Sequence, residues 1–268
     1  MLEREPYRLG FGTYSLTGDE GTRVVAAAIE AGYRHVDTAR LYGNEAAVGA
    51  AIERADVDRE DLFVATKVAH FEEPDPTAEY VREAVERSRE RLGVETIDLL
   101  YHHWPRHRDE IDVVLPVLDD LHAEGVVEHV GVSNYTVADV DRAREILDAP
   151  ILANQVECHP LLPQDDLVAA MRERGVTVVA YSPVAQGEVF DVPELVEIGE
   201  KHDATPAQVS LAWLLDRDGV AAIPRTSSPT HARENLAARE IDLDPGDVER
   251  IESIDRRVRL EDPDWMTW

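Results

Sequence analysis

Short apolar runs recur along the chain. Each is bounded by turn residues, and most are followed by a longer stretch whose apolar positions repeat every three or four residues. The short runs are "RLGFGTY" (8–14), "RHVDT" (34–38), "LFVATKV" (62–68), "IDLLYHHW" (97–104), "VEHVGVSN" (127–134), "ILANQVE" (151–157), "VTVVAYSP" (176–183) and "GVAAIPR" (219–225), eight in all. Their length and their content of Val, Ile and aromatic residues predict strands. The longer stretches carry helix punctuation. In "TAEYVREAVERSRERLG", Thr77 is the predicted N-cap, Val81, Val85 and Leu92 share a face, and Gly93 is the stop. "TPAQVSLAWLLDRDG" opens with Thr205 and Pro206 and stops at Gly219, "PQDDLVAAMRERG" stops at Gly175, and "DPGDVERIESI" opens with Asp244 and Pro245.

Strands that alternate with helices build a parallel sheet. Eight such units in 268 residues predict a single α/β domain over 1–268, a (β/α)₈ TIM barrel. A doubly wound open sheet would be expected to open with G-x-G-x-x-G. Here "LGFGTYSLTG" has glycines at 10, 12 and 18, which does not fit.

Charge narrows the partners. The formal net charge is −28, from 55 acidic and 27 basic residues. That balance argues against nucleic acid or an anionic membrane as partner. Only Lys67 and Lys201 are lysines; the other 25 basic residues are arginines. Excess carboxylate with scarce lysine is the composition expected of a protein adapted to high salt, where repulsion is screened within about 3 Å at 1 M. One cysteine, Cys158, excludes an internal disulfide. No apolar run approaches the roughly 18 residues that span a membrane, and "MLEREPYRLG" lacks a signal core. A soluble cytoplasmic protein is the expectation.

In a barrel, chemistry sits at the C-terminal ends of the strands. Those positions hold Asp37 with Tyr42, Lys67, His102 and His103, Ser133 with Asn134, Asn154 with Gln155, Tyr181 with Ser182, and Arg225 with Thr226. Lys67 ends an apolar strand in a chain that almost avoids lysine. A free tyrosine is too weak an acid at neutral pH; a neighbouring ammonium favours the phenolate, and a carboxylate keeps that ammonium charged. A neutral histidine can donate to an oxygen on which charge develops. Such a set protonates a nascent alkoxide. No side chain supplies hydride, so a nicotinamide is implied.

In order, "GYRHVDTARLYGNEAAVG", "ATKV", "IDLLYHHWP", "GVSNY", "NQVECHPLL", "AYSPVA" and "IPRTSSPTHARENL" resemble the motifs of the aldo-keto reductases, from about Leu9 to about Arg256. The resemblance implies metal-free reduction of an aldehyde or ketone by NADPH, with NADH as the weaker alternative. It implies Tyr42 as general acid, tuned by Lys67 and Asp37, with His103 orienting the carbonyl. Tyr181 would stack on the nicotinamide, and Ser133, Asn134 and Gln155 would hold its carboxamide. Ser182 and Val184 would lie near the pyrophosphate, Arg225 and Thr226 near the 2′-phosphate, and Glu234 and Asn235 near the adenine. Tyr14, Trp104 and Trp265 would line the substrate pocket.

There are departures. Arg225 stands where lysine is common, and His231 where a second basic residue is usual, with Arg233 nearby. Ala69, two residues after Lys67, replaces a common aromatic, which predicts a wider pocket on that side. The tail "VRLEDPDWMTW" is short, as in microbial members that reduce diketo-gluconates, methylglyoxal and other small dicarbonyls; Trp265 and Trp268 either line the mouth or pack on the barrel surface. A monomer acting on a small, sometimes sugar-derived carbonyl is expected.

Three rival readings compete with it: a metal hydrolase built on His102, His103 and His107, a Schiff-base aldolase using Lys67, and a cofactor-binding regulatory subunit without turnover. Alternation cannot choose between His102 and His103, because both faces of a barrel strand are buried. The motif assigns His103 to the mouth and leaves His102 facing the helices.

Overall fold

In the computed structural model, which describes residues 1–2, 4–73, 75–105, 107–266 and 268, every predicted run contributes a strand. These are β1 (Phe11–Gly12), β2 (His35–Asp37), β3 (Phe63–His70), β4 (Ile97–Trp104), β5 (Val127–Ser133), β6 (Ile151–Glu157), β7 (Thr177–Tyr181) and β8 (Val220–Ala222). All neighbouring pairs are parallel, in sequence order. The sheet closes on itself where Gly10 N donates to Ala222 O (2.8 Å), Ala222 N to Arg8 O (2.9 Å) and Gly12 N to Pro224 O (3.0 Å). The fold is a TIM barrel.

The helices are α1 (Gly18–Ala31), α2 (Glu45–Arg54), α3 (Ala78–Leu92), α4 (Arg108–Ala123), α5 (Val137–Ile146), α6 (Asp165–Glu173), α7 (Pro193–Lys201), α8 (Pro206–Asp216), α9 (Pro229–Leu236) and α10 (Pro245–Glu252). Their punctuation works as read. Thr77 caps α3 by accepting from Tyr80 N (3.1 Å), and Gly93 ends it at φ 68°. Thr205 with Gln208 and Asp244 with Asp247 form reciprocal caps on α8 and α10. Lys201, at the end of α7, donates to Asp244 Oδ2 (2.6 Å) and Asp247 Oδ1 (2.7 Å) and so ties α7 to the start of α10.

Two apolar layers result. The larger lies between sheet and helices. The smaller fills the barrel and comprises Leu2, Phe63, Ala65, Leu99, Tyr101, Ala153, Val179, Ala221 and Ile223. A Cβ on Gly131 would stand 2.6 Å from the Tyr101 ring, so a glycine on β5 makes room for a phenol in the barrel centre. Leu99 and Tyr101 face inward and Leu100 outward. His103 therefore shares the inner face and His102 the outer. Among the described residues no helix is long and apolar enough to cross a membrane.

Candidate active site

The loop after β2 carries Tyr42 on a short helical turn, Arg40–Tyr42. Buried polar groups fix that loop. Thr38 Oγ1 donates to Asn44 Oδ1 (2.9 Å), and Asn44 Nδ2 donates to Thr13 O (2.7 Å) and Leu16 O (3.1 Å). Glu45 accepts from Thr66 Oγ1 (2.8 Å). Asn44 and Glu45 lie inside the quoted motif, yet nothing in their spacing assigned them this anchoring role. Arg40 pairs with Glu73 and also donates to Tyr80 OH (2.8 Å), joining the Tyr42 turn to the loop after β3.

Inside the mouth, Lys67 Nζ donates to Asp37 Oδ1 (2.5 Å) and Thr38 O (2.7 Å), with Tyr42 OH at 3.5 Å. Lys67 and Asp37 are each 1% exposed. Burial disfavours the Lys67 charge, but Asp37 and Tyr42 outweigh it, and the ammonium is held above the ordinary lysine value. A Schiff-base lysine needs the opposite shift, so the aldolase reading fails on this geometry. The expectation for Tyr42 is corrected. Burial raises the phenol above its usual value, and the Lys67 ammonium only partly offsets it. The resting phenol is therefore neutral, with the ammonium beside its oxygen.

His103 stacks edge-on to Tyr42, ring centroids 5.9 Å apart. Burial, then the positive charge of Lys67, holds it well below the ordinary histidine value, so the imidazole is neutral. Among the described residues its buried Nδ1 has no hydrogen-bond partner. His102 faces the other way. Its Nδ1 lies 2.7 Å from Tyr135 OH, and burial lowers its pKa to about 3. The two histidines thus cannot share a metal. Among the described residues no group of three or more His, Cys, Asp or Glu side chains could hold one.

The residues expected to hold a nicotinamide also converge. Gln155 Nε2 donates to Asp37 Oδ2 (2.7 Å), Ser133 Oγ to Gln155 O (2.9 Å), Asn134 Nδ2 to Ser133 Oγ (3.2 Å) and Tyr181 OH to Asn134 Oδ1 (3.0 Å). Ser182 and Val184 follow in a turn where Ser182, Ala185 and Gln186 have φ of 47°, 46° and 50°. Further along the rim, Arg225 is exposed; its Nε donates to Tyr14 O (2.8 Å) and its Nη2 to Ser15 Oγ (2.5 Å). It lines a cleft of about 280 Å³ with Ser15, Leu16, Thr17, Glu20, Gly21 and Ser227. Thr226 Oγ1 is engaged within its own turn by Ser228 N (3.0 Å). Glu234 and Asn235 stand on α9, apart from the Tyr42 group. An exposed guanidinium at one end of this rim and a stackable phenol ringed by amides at the other fit the two ends of a dinucleotide. Glu20 was not singled out in the sequence and places an anion in the Arg225 cleft.

The side of the mouth expected to be wide is walled. Ala69 takes φ 60°, and His70 and Phe71 follow it. The His70 ring lies 4.5 Å from that of His103. Phe71 packs on Trp104 (5.4 Å) and on Trp265 of the tail (5.1 Å). Trp268 approaches Trp104 at 6.0 Å. Phe71 and the tail thus supply the aromatic surface that Ala69 itself does not. Tyr14, 64% exposed, stands edge-on to Tyr42 at 5.1 Å.

Fold and site together define a nicotinamide-dependent oxidoreductase that reduces carbonyl groups. The sequence model of the Aldo/keto reductase family matches residues 8–256, and the chain belongs to that family. It is 33% identical over 260 residues to the methylglyoxal reductase DkgB of Escherichia coli O157:H7, covering 96% of each chain. The crystal structure of MGS-M4, an aldo-keto reductase from a Medee basin deep-sea metagenome library, superposes with a TM-score of 0.91 at 31% identity, covering 97% of this chain and 95% of that one. The Bombyx mori aldo-keto reductase AKR2E4, solved in complex with NADP, gives a TM-score of 0.85 at 29% identity, covering 95% and 91%.

Proposed function

We propose that the protein reduces small aldehydes and dicarbonyls of the methylglyoxal kind, with NADPH preferred and Tyr42 as the proton donor. The observation that carries the reading is the series Asp37–Lys67–Tyr42, its first two members buried and its phenol at the mouth, beside a neutral His103. When bound, the nicotinamide supplies hydride to the carbonyl carbon. Everything else falls to the chain. A neutral His103 donates toward the carbonyl oxygen and orients it. The Tyr42 proton moves to that oxygen as charge develops, and the adjacent ammonium stabilises the phenolate left behind. Asp37 holds the ammonium in place, and Gln155 holds Asp37.

Arg225 favours NADPH because a guanidinium can grip a phosphate with two parallel hydrogen bonds. The methylglyoxal reductase relative supports a small dicarbonyl substrate, as do the aromatic walls around Trp104. The acidic, lysine-poor composition supports a protein that works inside a salt-rich cytoplasm, so assays belong in multi-molar KCl. The test is Tyr42→Phe. It should abolish NADPH oxidation with methylglyoxal while leaving NADPH binding, read by fluorescence titration, nearly unchanged. Retention of more than about a tenth of the parent rate would remove Tyr42 from the role of acid, since a positioned general acid is worth about 10²–10⁴-fold.

A further inference from the structure

Glu157 ends β6 on the inner face, two residues beyond Gln155, and pairs in register with Tyr181. It is 1% exposed. A carboxylate so placed must be hydrogen-bonded to be tolerated. Three donors reach it: His159 Nε2 at 2.9 Å, Leu260 N at 2.8 Å on Oε1, and Glu261 N at 2.8 Å on Oε2. Two of these are backbone amides of the C-terminal tail, more than a hundred residues away in sequence. Val258 N adds a bond to Leu161 O (3.0 Å). Among the described residues, the tail beyond forms neither helix nor strand. Its rings nevertheless sit at the mouth. The Arg259 guanidinium lies 3.9 Å from the Trp268 ring centroid, Trp268 Nε1 donates to Asp262 Oδ1 (2.8 Å), and Trp265 and Trp268 contact Trp104 beside His103. Glu157 makes no hydrogen bond to Tyr42, Lys67 or Asp37.

The geometry points to Glu157 as a positioning residue for substrate. Its carboxylate seats the tail through the Leu260 and Glu261 amides, and so fixes the aromatic wall that Trp265 and Trp268 build against Trp104. The inference rests on the proposed reduction, but the seat itself is measurable without turnover. It separates substrate binding from proton transfer: the acid is set by Asp37 and Lys67, the wall by Glu157.

The experiment compares the parent with Glu157→Gln and with Leu260→Pro. Gln turns one acceptor into a donor that faces a backbone N–H. Pro deletes one tail donor and leaves the barrel untouched. For both variants, hydrogen exchange should show the amide of Glu261 losing protection. KM for methylglyoxal should rise about tenfold, a 1.4 kcal/mol change, with kcat within about twofold and NADPH binding unchanged. In a Trp265→Ala/Trp268→Ala background, Glu157→Gln should raise KM no further, because the wall it positions is gone. Intact amide protection in both variants would overturn the seat. Lost protection with an unchanged KM would overturn its role in substrate binding. An inactive parent would overturn the proposed reduction and leave the exchange result standing.

Discussion

Lys67→Met removes the ammonium and keeps an unbranched side chain. Two quantities follow from the distances. Asp37 loses its 2.5 Å partner and keeps Gln155 Nε2 at 2.7 Å. Breaking a buried pair by deleting one member costs about 3–5 kcal/mol, which for a chain of this size lowers Tm by roughly 5–9 °C. The second quantity is catalytic. An ammonium 3.5 Å from the Tyr42 oxygen is worth about 5 kcal/mol to a full phenolate charge at an effective dielectric of about 20. With about half that charge developed at the transition state, kcat should fall roughly 50-fold. The pH dependence has a definite sign. Lys67 is held above the ordinary lysine value, so its stabilisation is complete below the unfolded pKa of about 10.5 and fades as pH rises through the folded value. The stability gap between parent and variant should therefore be level from about pH 6 to 9 and narrow above about 10.5. Initial rates with NADPH and methylglyoxal, together with thermal unfolding in multi-molar KCl, measure both quantities. A kcat within about threefold of the parent across that range would refute the idea that this ammonium acts on the phenol.

Three further outcomes are expected. Arg225→Gln should raise KM for NADPH about 10- to 100-fold and leave KM for NADH almost unmoved; equal losses with both cofactors would show that Arg225 does not read the phosphate. His103→Ala should cut kcat/KM by more than about a hundredfold with little change in melting, whereas His102→Ala should keep the rate and lose about 2–4 kcal/mol of stability, because Tyr135 loses its partner and a cavity opens under the helices. Burial holds His35, His102 and His103 below the free histidine value, His102 at about 3. An unfolded chain takes up those protons below about pH 6.5 and the folded one does not, so stability should fall by about 1.4 kcal/mol per pH unit for each such proton. Denaturant titrations between about pH 7 and 4 in high salt would measure that slope, and a flat profile would contradict it.

The middle of the barrel was the most legible part. Strands β4 and β6 match the predicted runs 97–104 and 151–157 at both ends, because each is β-rich and bounded closely by Gly or Pro. The closing strands are shorter than their runs. β1 keeps only Phe11–Gly12 and β8 only Val220–Ala222. Pro224 has no N–H to donate, and the closure proceeds through scattered bonds rather than a regular ladder. The four side chains proposed for catalysis were legible because each sits in a local motif. The Tyr42 environment was not, since burial is a tertiary property and here it outweighs the neighbouring ammonium. The aromatic wall was misread at Ala69 because Phe71 and the tail fill the space from elsewhere. The Glu157 seat left no trace, because its tail donors are backbone amides that any residue but proline would provide.

The scarcity of lysine has a practical side. The Lys67 side chain is 0% exposed, whereas that of Lys201 is 47% exposed. Apart from the α-amino group, amine-directed reagents therefore meet one side chain, at the junction of α7 and α10. Acylating it would remove a cation shared by Asp244 and Asp247 and leave Lys67 untouched. A dye, a biotin or a solid support coupled through amines would therefore attach at two addresses, Lys201 and the chain's α-amino group, both far from the buried Lys67 amine in exposure.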